Sequence, residues 1–153
     1  MVKIVLPWKR RRRAAAIAQA GFTLLEILVV ITIIALIMGL VGPRVLNFLA
    51  ESKVKAAKIQ IESLASALDL YFLDTGQYPS NSQGLFVLVR KDSSAIGWNG
   101  PYLKGSAVPL DPWGKPYIYR SPGENGAYDI ISFGADRQEG GTGVAADIIS
   151  SAR

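Results

Sequence analysis

Gly21-Phe22-Thr23-Leu24-Leu25-Glu26-Ile27-Leu28-Val29-Val30, apolar with few interruptions on to Val41, is the stretch on which the reading of this chain turns. Phe22 to Val41 is 20 residues, which as an α-helix span about 30 Å, the depth of a bilayer's hydrocarbon core. Lys3, Lys9 and Arg10 to Arg13 lie on its N-terminal side. Such a basic flank keeps its own end in the cytoplasm and sends Pro43 onward across the lipid bilayer. A secretory signal carries a small-residue cleavage site after its apolar region, and none follows Leu40. The order here is basic head, spacer ending at Gly21, apolar run, so a cut after Gly21 leaves the run in the mature chain. Glu26 is the anomaly within it, because a carboxylate near the apolar core costs about 2.5–3.5 kcal/mol on insertion scales and marks a functional position.

Charge divides at the same point. The 153 residues include 17 Lys or Arg and 12 Asp or Glu; six of the cations precede Gly21 and every acid follows it, leaving 11 cations against 12 acids. The basicity belongs to the head, which lies against the membrane and is removed, so no nucleic-acid partner is expected. Beyond the apolar run there is room for one small domain, a size that gains from a staple. The chain has no cysteine and no histidine, which removes disulfides, the usual general base and most zinc sites. No Gly-x-Ser-x-Gly motif occurs, and Asp69, Asp74, Asp111 and Asp129 read as turn or solvated-face residues. The chain is not expected to be an enzyme.

Pro43 should kink the helix without ending it, because apolar periodicity resumes at once. Val54, Ala57, Ile61, Leu64, Leu68 and Tyr71 form one helical face, with Lys55, Lys58, Glu62 and Asp69 off it. Glu51 with Lys55 and Lys58 with Glu62 stand at ion-pair spacing. The C-terminal half of the stripe suits a domain core; Val45, Leu46, Phe48 and Leu49 precede any domain that could cover them and suit packing between subunits. Gly76 and Pro79 end the helix. Ser80 can cap a short second helix over Gln83 to Lys91 that buries Leu85, Phe86 and Leu88. Tyr117 to Tyr119 and Tyr128 to Ser132 read as two strands, joined around Ser121 to Gly126, whose Asn125-Gly126 favours a tight turn.

Gly21-Phe22-Thr23-Leu24-Leu25-Glu26 resembles the processing site of type IV pilins and type II secretion pseudopilins. Gly97 to Leu103, Asp111 to Tyr117, Ser132 to Asp136, Glu139 to Gly143 and Ala146 to Ile148 resemble the globular domain of the major pseudopilin of type II secretion. The resemblance implies an α+β, type IV pilin-like fold: a long N-terminal helix, transmembrane in its first half, a short second helix and a small antiparallel sheet. It divides the chain into a cleaved leader (1–21), a transmembrane, filament-core helix (22–43) and a periplasmic domain (44–153) that begins with the helix's amphipathic half. Seven residues, Ala14 to Ala20, separate the arginines from Gly21, a longer gap than related leaders show.

The resemblance also implies roles. Prepilin peptidase cuts after Gly21, Phe22 becomes an N-methylated N-terminus, and Glu26 pairs with the Phe22 amine of a neighbouring subunit. A buried carboxylate needs such a partner. Calcium in the C-terminal loop replaces the staple, bound by Asp136, Asp147 and backbone carbonyls that include the one at Phe133. The chemistry permits this, since calcium takes six to eight oxygens from carboxylates, carbonyls and water. Glu139 is a further candidate ligand, and the loop is not an EF-hand. The implied whole is a structural subunit of a periplasmic pseudopilus, a helical homopolymer working with minor pseudopilins and an inner-membrane assembly platform to export folded proteins. A pilin of a surface or DNA-uptake filament is the alternative, disfavoured by the missing cysteines.

Overall fold

The computed structural model describes residues 21–124 and 126–150; the leader with its arginine cluster, Asn125 of the expected tight turn, and the last three residues lie outside the described residues. Helix α1 runs Leu24–Thr75, 52 residues. Thr23 begins it: its Oγ1 accepts the Glu26 N–H at 3.1 Å and its carbonyl accepts the Ile27 N–H at 3.2 Å. A side-chain oxygen at this position satisfies a first-turn donor that the helix cannot. The helix continues through Pro43, as the resumed apolar periodicity requires. It stops at Thr75, whose hydroxyl donates to the Tyr71 carbonyl at 2.8 Å, and Gly76 follows in a left-handed conformation, φ 76°. Its N–H donates to the Phe72 carbonyl at 2.8 Å.

Contacts divide the chain into two units, one up to Leu40 and one from Val41. In the first, the described residues are helix apart from its first three, and all are exposed; Leu24, Leu36 and Leu40 are 84%, 76% and 72% accessible. The second is the domain. Ala57, Ile61, Leu64, Leu68 and Tyr71 are buried, as their periodicity predicts, against Leu85, Val87, Leu88, Ala95, Tyr117, Ile130 and Ile148. Val54 is half-buried at the edge of that core, and Val45, Leu46, Phe48 and Leu49 are exposed.

Three expectations change. The second helix is a five-residue 3-10 turn, Gly84–Leu88, which buries Leu85, Val87 and Leu88 while Phe86 points out at 68% exposure. With three residues per turn, positions 85 and 88 eclipse, and residue 86 falls off the buried face. Ser80 does hold the turn before it: the Ser80 N–H donates to Gln83 Oε1 at 2.9 Å and the Gln83 N–H to Ser80 Oγ at 3.4 Å. The sheet has a third strand. β1 (Ile118–Arg120) pairs antiparallel with β2 (Asp129–Ser132), and β2 with β3 (Ile148–Ile149), in the order β1-β2-β3. Arg120 faces Asp129, and Ser132 faces Ile148. Glu51–Lys55 and Lys58–Glu62 do not close; the ion pairs among the described residues join Arg120 to Glu124 (3.9 Å) and to Glu139 (3.5 Å).

Candidate functional site: an exposed helix and a carboxylate loop

The first candidate site is the start of α1. Gly21 and Phe22 precede the helix, and Phe22 is 79% exposed. Glu26 lies in the first turn, where an acid faces the positive end of the helix dipole. Thr23-Leu24-Leu25-Glu26 has the Thr-x-x-Glu spacing of a capping box, a local signal that the processing motif overshadows. Within the single chain Glu26 is exposed, beside Phe22, Leu24 and Leu25 at 79%, 84% and 70%. Such a continuous apolar surface requires lipid or protein cover. Ser52 and Lys55 stand at Ser-x-x-Lys spacing, but the Ser52 hydroxyl donates to its own helix at the Phe48 carbonyl (2.8 Å).

The second candidate is the loop between β2 and β3. The register pair Ser132–Ile148 closes its base, and Asp136 and Asp147 lie on its two arms. Gly134 takes φ 64°, and the Ala135 N–H reaches across to the Val144 carbonyl at 3.3 Å. Asp136 Oδ1 accepts the Gln138 N–H (3.2 Å), and Asp147 Oδ2 accepts the Gly140 N–H (2.9 Å). The second oxygen of Asp147, Oδ1, is buried with no hydrogen-bond partner. A lone buried carboxylate oxygen is costly unless a donor or cation meets it.

The loop also leaves a small cradle. A Cβ placed on Gly141 would come 2.4 Å from the Ala145 carbonyl oxygen and 3.2 Å from Asp136 Oδ2, so these two oxygens border one point. Phe133 is half-buried at the loop's start and lines a cavity of about 280 Å³ with Asp111, Lys115, Ile118 and Arg137. Glu139 is paired with Arg120 instead of turning into the loop. Among the described residues no group of three or more Asp or Glu side chains gathers, so any cation here must draw on backbone carbonyls as well. Two carboxylates, one with an orphaned oxygen, and a neighbouring carbonyl fit calcium, whose shell is built of such oxygens.

The aspartates assigned to turns and solvated faces divide. Asp111 closes a turn as expected, but it and Asp129 are 6% and 4% exposed, so neither lies on a solvated face. Asp111 accepts the Trp113 and Lys115 N–H groups (3.0 and 2.7 Å), and Asp129 accepts the Glu124 N–H (2.8 Å). Each folds a tight loop around its own carboxylate, which draws it inward. Asp69 and Asp74 accept the Tyr78 and Tyr102 hydroxyls (3.2 and 2.8 Å).

Residues 44–151 match the family described as type II secretion system, protein G, and residues 17–42 match the prokaryotic N-terminal methylation motif. The chain is 46% identical over 134 residues to the type II secretion system core protein G of Pseudomonas aeruginosa, covering 85% of this chain and 93% of the relative. It is 43% identical to the protein of the same description from Vibrio cholerae, covering 85% and 90%. In structure it resembles the major pseudopilin from the type 2 secretion system of enterohaemorrhagic Escherichia coli, with a TM-score of 0.53 at 30% identity, over 65% of this chain and 86% of that one.

Proposed function

This chain belongs to the type II secretion system protein G family, and from that premise we propose that it is the major structural subunit of a periplasmic pseudopilus. The observation that carries the reading is the exposed apolar length of α1: the large apolar side chains from Leu24 to Leu40 stand open along it. Lipid supplies their cover before assembly, and the helices of neighbouring subunits supply it afterwards. The subunit waits in the inner membrane with its leader in the cytoplasm and its domain in the periplasm. Prepilin peptidase removes the leader after Gly21, and Phe22 is N-methylated. The Phe22 amine then meets Glu26 of a neighbour, which sets the stagger of the homopolymer on an inner-membrane platform capped by minor pseudopilins.

Calcium completes the domain. Asp136 and Asp147, with the carbonyls of Phe133 and Ala145, would hold it, and its charge would draw the two arms of the loop together where a disulfide would serve in a cysteine-containing domain. The orphaned Asp147 oxygen supports this assignment.

Mass spectrometry of the mature protein tests the processing: the expected N-terminus is N-methyl-Phe22, and a terminus after Leu40 refutes it. Glu26→Ala is expected to be inserted and cut normally but to give few filaments by electron microscopy. Normal filament yield would remove Glu26 from assembly.

A further inference from the structure

Asp136 is exposed, yet it is flanked on one side by a backbone N–H and on the other by a side chain that lead to one turn elsewhere in the domain. Upstream, the Gly134 N–H lies 3.4 Å from Ser132 Oγ, and that hydroxyl donates to Asp111 Oδ2 at 2.7 Å. Ser132 and Asp111 are 1% and 6% exposed. The other oxygen of Asp111 accepts the Trp113 and Lys115 N–H groups, so one carboxylate closes the turn 111–115 and holds Ser132 to it. Downstream, Arg137 adopts φ 63°, a conformation unfavourable for a side-chain-bearing residue, and its guanidinium donates to the Trp113 carbonyl at 3.3 Å. Ser132 is also the last residue of β2 and faces Ile148, the residue after Asp147. It therefore sits at the root of both arms of the loop.

We propose that the 111–115 turn is the template of the cation loop, with Asp111, Ser132 and Arg137 as positioning residues that hold Asp136 at the distance from Asp147 that an oxygen-binding divalent cation requires. The inference rests on the calcium reading above. Its physical basis is pre-organisation. Fixing the backbone of an open loop costs entropy for every residue ordered, and a loop anchored beforehand on either side of its ligand leaves less of that cost to the binding step. The anchor is itself rigid, because a hydroxyl donating to a carboxylate in a water-poor site is a strong, directional bond. Outer-shell partners that orient metal ligands in this way typically contribute about 10- to 100-fold in affinity.

Calcium titration by calorimetry on the detergent-solubilised full chain, paired with thermal melts in chelator, tests it. Arg137→Gly keeps a left-handed backbone without strain and removes the guanidinium contact together with the side chain's share of the cavity wall. Ser132→Ala removes the hydroxyl that joins Asp111 to Gly134. Each is expected to raise the calcium Kd by about 10-fold or more. Arg137→Gly should melt like the wild type, or higher, in chelator, because relief of the φ 63° conformation acts with or without the ion. A purely structural role gives the opposite split: equal losses in calcium and chelator with an unchanged Kd, and that result overturns the proposal. Should Ser132→Ala fail to fold, Arg137→Gly alone decides. Calcium binding by the wild type with an unchanged Kd in Arg137→Gly refutes this inference alone; no binding by the wild type refutes the calcium reading and this inference with it.

Discussion

At the scale of single residues, Gly140 and Gly141 offer a comparison of a glycine in open space with one against the loop's oxygens. Both take positive φ, 100° and 85°, but nothing lies within 4 Å of a Cβ added at Gly140, whereas one at Gly141 would stand 2.4 Å from the Ala145 carbonyl oxygen. Alanine at Gly140 is expected to cost about 1–3 kcal/mol of backbone strain and to leave calcium stabilisation in place. Alanine at Gly141 should cost more and abolish the difference between melts in calcium and in chelator. Asp147→Ala should do the same by removing a proposed ligand, leaving a melting temperature that equals the chelated wild type in both media. These residues differ in how far the sequence discloses them. Gly21, Phe22 and Glu26 stand in a linear motif, and their chemistry is local. Asp136 and Asp147 become a pair only through family resemblance, since two aspartates in a glycine loop are ordinarily solvated. The Ala145 carbonyl carries no mark at all, because every residue has one, and Asp111 looks like a turn residue until its turn is seen to fold inward.

At the scale of elements, α1 is the most legible, since 3.6-residue periodicity and a terminal Gly are long-range and local signals that agree. Leu68 is 0% exposed on its buried face. Leu68→Ala is expected to cost about 2–5 kcal/mol, lowering the melting temperature equally with calcium and with chelator. At the helix start, Thr23→Ala removes the oxygen that accepts the Glu26 N–H and should cost about 1 kcal/mol of first-turn stability. Faster amide exchange confined to the residues just after position 23, in detergent, is the measurement. The short elements were less legible for a physical reason. Two residues, Ile148 and Ile149, cannot display a period of two, and their pairing with β2 depends on a loop that brings distant residues together. Gly84 at φ 56° begins the 3-10 turn, and an apolar run of that length does not distinguish three residues per turn from 3.6.

At the scale of the whole molecule, phenols buried in the domain make its stability sensitive to alkali. Burial raises the Tyr119 hydroxyl from 10.0 to about 12, and burial followed by the nearby Asp111 charge raises Tyr117 as well. The unfolded chain loses these protons first, near pH 10, so their contribution is complete below pH 10 and declines as pH rises toward 12. Denaturant midpoints at pH 9, 10 and 11 should fall in that order, and Tyr119→Phe, which has no proton to lose, should flatten the decline. Ala57, Ile61, Leu64, Leu68 and Tyr71 give α1 one continuous face in the core of the same domain. Tension applied to the helix is therefore borne in shear by its own core, through interlocked side chains acting in parallel along several turns. A load along the helix axis would meet the packing of that one face, from Ala57 to Tyr71, over several turns at once.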